Sequence, residues 1–260
     1  LIIKIYFKNR ILIFMQTSKR IDYIKNWILD YCRSMPKEPE SLIVGISGGI
    51  DSSVTSTICA LTKKRTIVLS MPIKQIKAQH DLSLKHKNWL KEKFKNVEDH
   101  LINLDLLFET FKNSLSKFNN EHGMANSRAR LRMVTLYQAA AANNGIVVGT
   151  GNKIEDFGVG FYTKYGDGGV DISPIADCTK TQIWEMGEHL GILKEIIKAQ
   201  PTDGLWEDGR SDVSQLGMSY QDLEKAMMNP NSPNYKKYIE IRNRNLHKME
   251  PIPVCKMKNE

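Results

Sequence analysis

The run Leu42-Ile43-Val44-Gly45-Ile46-Ser47-Gly48-Gly49-Ile50-Asp51-Ser52-Ser53 carries the most structural information in the chain. Its opening residues, Leu42 to Ile46, are apolar or glycine with no polar alternation, as in a strand covered on both faces. A glycine turn follows, then the helical stretch Ser52–Leu61. A helix N-terminus presents unpaired N–H groups and a partial positive charge, both suited to phosphate. Gly48 and Gly49 accept positive φ and let backbone approach a ligand closely, and successive N–H groups then make an anion-binding nest. Ser47 and Ser52 add hydroxyl donors. No Lys follows the glycines, so G-x-x-x-x-G-K-[ST] is absent, as is G-x-G-x-x-G. A carboxylate, Asp51, sits in the loop instead. A bare carboxylate repels phosphate, so a bridging Mg²⁺ is expected. The competing reading is a glycine turn with Asp51 and Ser52 capping a helix. Strand, S-G-G-x-D-S and helix together favour the phosphate site.

Thr66–Ser70, Val97–Leu104 and Ile146–Val148 read as further strands. Between them, residues 78–95, 105–118 and 127–142 read as helices, and 18–33 as an amphipathic helix before the first strand. Strands alternating with helices predict a parallel sheet wrapped by helices. From Gly149 to Gly217 the chain is rich in glycine and charge, with short helices near 180–190 and 192–199. Residues 201–217 lack periodicity and read as a mobile lid whose Leu205-Trp206 pair docks when the site fills. Residues 219–228 and 234–248 read as helices.

The 260 residues suffice for a substantial core. With 41% hydrophobic and 25% charged residues, a disordered chain, a collagen-like repeat and a coiled coil are excluded. The formal charge of +8 suits anionic partners. The basic residues are dispersed, with no long cationic run or aromatic stacking motif, so no nucleic-acid partner is expected. Cys32, Cys59, Cys178 and Cys255 are far apart and outside any metal-ligand spacing, which predicts a reduced, cytoplasmic protein without structural zinc. Residues 1–14, interrupted by Lys4, Lys8 and Arg10, read as a tail or extension before Met15. The uncharged stretch Met133–Asn152 contains three Gly and three Asn, so it reads as helix, turn, strand and loop, and no membrane association is expected. One domain is expected over residues 15–260.

Ser47-Gly48-Gly49-Ile50-Asp51-Ser52 resembles the pyrophosphate loop of the N-type ATP pyrophosphatases. That resemblance implies an adenine nucleotide alpha hydrolase-like α/β fold, a parallel five-stranded sheet with helices on both faces. Further along, Asn126–Met133, Val148–Glu155, Phe161–Asp171, Cys178-Thr179-Lys180, Pro201-Thr202 and His247-Lys248 resemble the ammonia-dependent NAD⁺ synthetases. This resemblance implies a ligase: the nicotinate carboxylate of deamido-NAD⁺ attacks ATP, pyrophosphate leaves, and ammonia displaces AMP from the acyl adenylate. A tRNA-modifying adenylating enzyme is the alternative.

By the same resemblance, residues Gly45, Ile46, Ser47, Gly48, Gly49, Ile50, Asp51 and Ser52 bind ATP with Thr150, Lys180 and Thr202. Asp51 and Glu155 carry Mg²⁺, with the neighbouring Asp156 as an alternative ligand. Ser47, Lys180 and Thr202 assist departure of pyrophosphate. Arg130, Lys164, Asp171, His247 and Lys248 bind deamido-NAD⁺. Arg128, Arg130 and Arg132 lie two apart and cannot share one helical face. Asp167 is either the acceptor of the ammonium proton or a turn aspartate. A chain of this length leaves no room for the amidase domain of glutamine-dependent relatives, so ammonia is the expected nitrogen donor. A homodimer is implied.

Overall fold

The computed structural model describes residues 15–206 and 208–257. The expected extension, residues 1–14, lies outside the described residues. Four parallel strands, β1 (Ser41–Gly45), β2 (Arg65–Ser70), β3 (Val97–Leu101) and β4 (Gly145–Val147), form one sheet in the order β3-β2-β1-β4. Helices α1 (Thr17–Ser34), α2 (Ile50–Leu61), α3 (Lys77–Lys93), α4 (Asp105–Ser114) and α5 (Glu121–Ala142) alternate with them.

Side chains alternate between the two faces, as the pleat requires. Leu42, Val44, Val68 and Ile146 join α1, α2 and α6 (Lys180–Leu190) in one core. Ile43, Ile67, Leu69 and Val147 face Phe108 of α4 and Met133 and Leu136 of α5 in another. The unbroken apolar strands of the sequence are therefore strands buried on both sides. A third cluster joins α9 (Tyr220–Met228), α10 (Tyr235–Met249) and a six-residue π-helix, Ile154–Val159.

Two expectations are corrected. The sheet has four strands where the resemblance implied five, and the fifth survives as one isolated parallel bridge, Val148–Ile172. The Val147 N–H donates to the Asp171 carboxylate at 2.7 Å instead of to a neighbouring strand's carbonyl, and Pro174 follows shortly. A ladder cannot extend through a side-chain acceptor and a proline. Nor is the 201–217 segment without structure. Residues 212–216 form α8 (Asp212–Leu216) between α7 (Lys194–Lys198) and α9, with Ser211 accepting from the Ser214 N–H at its start.

β2 lies on one side of β1 and β4 on the other, so the loop after β1 sits where the strand order reverses. Open parallel sheets bind ligands in the crevice at that point, beyond the carboxyl ends of their strands.

Candidate active site

The loop after β1 is shaped by its own serines. The Ser52 hydroxyl accepts from the Ser47 N–H at 3.2 Å and donates to the Gly49 carbonyl at 3.1 Å. Ser47 Oγ accepts from the Gly49 N–H at 3.2 Å. Gly48 has φ +88°, and a Cβ there would lie 2.7 Å from both the Gln79 carbonyl and the Ser83 nitrogen of α3, so only glycine fits. Ser52 is buried and turned inward, so it builds the loop, while Ser47 is exposed. No side chain caps α2, which leaves N–H groups of its first turn for a ligand.

The loop is one wall of a cavity of about 250 Å³. Thr150, Glu155, Asp156, Asp167, Lys180 and Thr202 line it as well. Every residue expected to contact ATP or Mg²⁺ therefore borders one space.

At its base is a charged cluster. Lys180, the first residue of α6, is 2% exposed. Its Nζ donates to Asp51 Oδ2 at 2.6 Å and to Glu155 Oε1 at 3.1 Å, and lies 4.6 Å from the centre of the Tyr220 ring. Burial works against this charge, and Asp51 and Glu155 together outweigh it, so the ammonium titrates above the ordinary lysine range. Asn152 donates to Asp51 Oδ1 at 2.9 Å. Its Oδ1 accepts from the N–H groups of Ile154 and Glu155 at 3.0 and 3.1 Å, which starts the π-helix. Tyr220 reaches Glu155 Oε1 at 2.6 Å and Asp212 Oδ2 at 2.9 Å.

One phenolic proton cannot serve two carboxylates. Asp212 is the partner shifted toward the protonated form: it is 4% exposed, its Oδ1 has no partner among the described residues, and burial, followed by the Glu155 charge, pushes it up to about 7. Tyr220 itself stays protonated, held far above the phenol range by burial and then by the Glu155 carboxylate.

Of Glu155 and Asp156, it is Glu155 that shares the Lys180 ammonium with Asp51. The Asp156 carboxylate lies under Gly151, within 2.2 Å of where a Cβ would stand, and burial with the Glu155 charge pushes it up to about 8. Asp167 accepts from the Thr163 N–H at 2.9 Å, as a turn aspartate does, and it also opens to the cavity. Thr202 Oγ1 donates to the Arg210 carbonyl at 3.1 Å. Residues 199–205 roof the cavity, and the buried Arg128 holds the Leu205 carbonyl while stacking 4.7 Å from the Phe108 ring.

The five residues assigned to the second nucleotide lie outside that cavity, and four of them are linked to one another. Arg130 Nε donates to the Lys164 carbonyl at 3.2 Å, Lys164 Nζ to the His247 carbonyl at 3.4 Å, and Lys248 Nζ to the Tyr162 carbonyl at 2.8 Å. α5, the 160s loop and the end of α10 thus converge. Asp171 is committed on both oxygens, to the Val147 N–H and, at 3.1 Å, to the Tyr137 hydroxyl. A second cavity of about 680 Å³ lies between α5 and the 165–170 loop, sharing Met133 and Val170 with the first.

Sequence reasoning missed Asn152 as a prop, together with Tyr220, Asp212 and Arg132. Asn152 lay inside a quoted motif. Tyr220 and Asp212 carry no local signal. Arg132 donates to the Met71 carbonyl at 3.0 Å, and burial pulls it down to about 10.

The profile of one family, NAD synthase, matches residues 20–259. The chain belongs to that family. It is therefore an enzyme of ligase type, and the tRNA-modifying alternative falls. An NH(3)-dependent NAD(+) synthetase from Carboxydothermus hydrogenoformans is 33% identical, over 81% of this chain and 85% of that protein. One from Sulfurisphaera tokodaii is 36% identical, over 85% and 74%. The solved structure of NMN synthetase from Francisella tularensis superposes with a TM-score of 0.85 at 30% identity, covering 94% of this chain and all of that one.

Proposed function

We propose that the protein is an ammonia-dependent NAD⁺ synthetase. ATP and deamido-NAD⁺ give an acyl adenylate and pyrophosphate, and ammonia then releases AMP and leaves NAD⁺. The observation that carries this reading is the single cavity in which an anion-binding loop, a carboxylate pair and the Asp167 carboxylate meet. The loop N–H groups hold the triphosphate without a protein nucleophile. Thr150 and Thr202 add hydroxyls at its edges. Asp167, whose carboxylate opens to that cavity, takes the proton that ammonium must lose. The roof of residues 199–205 keeps water from the acyl adenylate.

The Asp51–Glu155 pair fits Mg²⁺. One cation, Lys180 Nζ, already touches both carboxylates, and Mg²⁺ is ordinarily bound by one or two carboxylates plus substrate phosphates. When bound there it would screen the charge between carboxylate attacker and triphosphate. Arg130, Lys164 and Lys248 supply the cationic edge for deamido-NAD⁺ beside His247, and the second cavity supplies room for its remainder. Asp171 acts on that nucleotide through the loop it holds.

A homodimer is supported by exposed apolar side chains on the α4–α5 side: Leu106, Leu107, Phe118, Val134 and Tyr137. Free cysteines at all four positions support a reducing compartment, the cytoplasm.

A second reading is favoured by the superposition on an NMN synthetase: the nicotinate substrate is the mononucleotide, and NMN is the product. One assay decides. The enzyme is incubated with ATP, Mg²⁺ and ammonium, and kcat/KM is compared for deamido-NAD⁺ and nicotinate mononucleotide. A preference for the dinucleotide, with AMP and NAD⁺ formed in equal amounts, is the expected result. A preference for the mononucleotide establishes the second reading, and no AMP with either substrate refutes both. Glutamine in place of ammonium is expected to give no product.

A further inference from the structure

Lys180 stands where the proposed metal would stand. Its ammonium touches both metal-site carboxylates, Asp51 at 2.6 Å and Glu155 at 3.1 Å, and its side chain is 2% exposed. Two carboxylates share that one cation. A divalent ion placed between the same oxygens would face an ammonium within about 3 Å in a poorly solvated site, an arrangement strongly disfavoured by charge repulsion. Lysine and metal are alternatives there.

The carboxylates themselves do not depend on which cation is present. Asp51 is held on its other oxygen by Asn152 at 2.9 Å, and Glu155 on the same Oε1 that Lys180 touches by the Tyr220 hydroxyl at 2.6 Å. Asn152 also takes the Glu155 N–H at 3.1 Å, so one side chain sets both residues. These neutral props leave the pair in place when the cation changes. Lys180 has the means to move: a flexible four-carbon stem at the start of α6, on the wall of the cavity that also carries the phosphate loop. A triphosphate in that cavity offers the ammonium a second anionic partner.

We infer that Lys180 is a resident counter-ion that closes the Asp51–Glu155 site in the nucleotide-free enzyme, and that the triphosphate draws it out, so divalent metal and nucleotide enter together. The inference rests on the Mg²⁺ reading above. It gives Lys180 two successive partners, the carboxylate pair before ATP binds and the phosphates afterwards. Metal and nucleotide binding are then positively coupled, each raising the affinity for the other by the same factor.

Mn²⁺ binding to the full chain tests this, read by water-proton relaxation with and without a non-hydrolysable ATP analogue. Wild-type protein is expected to bind Mn²⁺ at this site only with the analogue. Nucleotide-free Lys180→Met is expected to bind Mn²⁺ at least about tenfold more tightly than nucleotide-free wild type. Its Tm is expected to rise with Mn²⁺ while that of wild type stays put, and adding Asp51→Asn removes the gain. Wild type that binds Mn²⁺ as tightly without the analogue as with it overturns the exchange and leaves the metal site standing. That measurement needs no variant, so a Lys180→Met chain that fails to fold leaves the inference open to refutation. No Mn²⁺ bound by wild type even with the analogue overturns the metal reading and the inference together.

Discussion

Asp212→Asn is expected to make the protein more stable at alkaline pH and to flatten the dependence of its stability on pH. Asp212 is buried, shares the Tyr220 hydroxyl with Glu155, and has one oxygen without a partner among the described residues. Burial and the Glu155 and Asp203 charges push its carboxyl up to about 7, against the opposing pull of Lys180 and the Tyr220 hydroxyl. In the unfolded chain it titrates near the ordinary 3.8. Between these values the folded state holds one proton more than the unfolded state, so stability falls as pH rises from about 4 to 7. The cost is absent below the lower value and complete above the upper one. A rise of this size corresponds to about 4 kcal/mol at pH 8. For a chain this long that is on the order of 10 °C in Tm. Asparagine keeps the shape and a polar partner for Tyr220 but cannot ionise. The assay is calorimetric Tm from pH 5 to pH 8, taken as the difference between variant and wild type. Titration of Asp156 and Asp167 occurs in both proteins and cancels to first order. A variant-minus-wild-type difference that is the same at pH 5 and pH 8 would refute the assignment of a buried, protonated Asp212.

Gly48→Ala is expected to cost about 3 kcal/mol and to abolish ATP binding, because its Cβ meets α3 backbone 2.7 Å away at a φ of +88°. Urea unfolding and nucleotide titration measure the two effects. Asp51→Asn is expected to lower kcat by on the order of 10²–10³ with near-native circular dichroism; near-normal turnover at limiting Mg²⁺ would remove Asp51 from the metal site. Arg130→Ala is expected to raise KM for the nicotinate nucleotide by about 10–100-fold and to leave that for ATP unchanged. The reverse pattern would assign Arg130 to ATP.

The order of elements was legible in the sequence because it depends on local pattern. Short apolar runs such as Leu42–Ile46 and Ile67–Leu69, bounded by turn residues, read as strands covered on both faces, and the glycines after β1 read as a tight turn. From there the anion-binding loop and the carboxylate inside it followed. Boundaries shifted by a few residues where caps such as Asn120, which accepts from the Gly123 N–H, lay ahead of the periodic pattern.

The tertiary structure decided what each charged side chain does. Lys180 meets Asp51 across 129 residues of sequence, and Tyr220 meets Glu155 across 65. No local pattern encodes such pairs, because they arise from where the sheet brings the ends of α2, α6, α9 and the π-helix. The same holds for the missing fifth strand, where the Asp171 side chain takes the Val147 N–H, and for Glu155, whose carboxylate shares the Lys180 ammonium with Asp51 while its N–H donates to Asn152. Local sequence specifies backbone geometry within a few residues, whereas burial and charge pairing are properties of the packed chain, and those set the protonation of Asp212, the position of Lys180 and the two cavities.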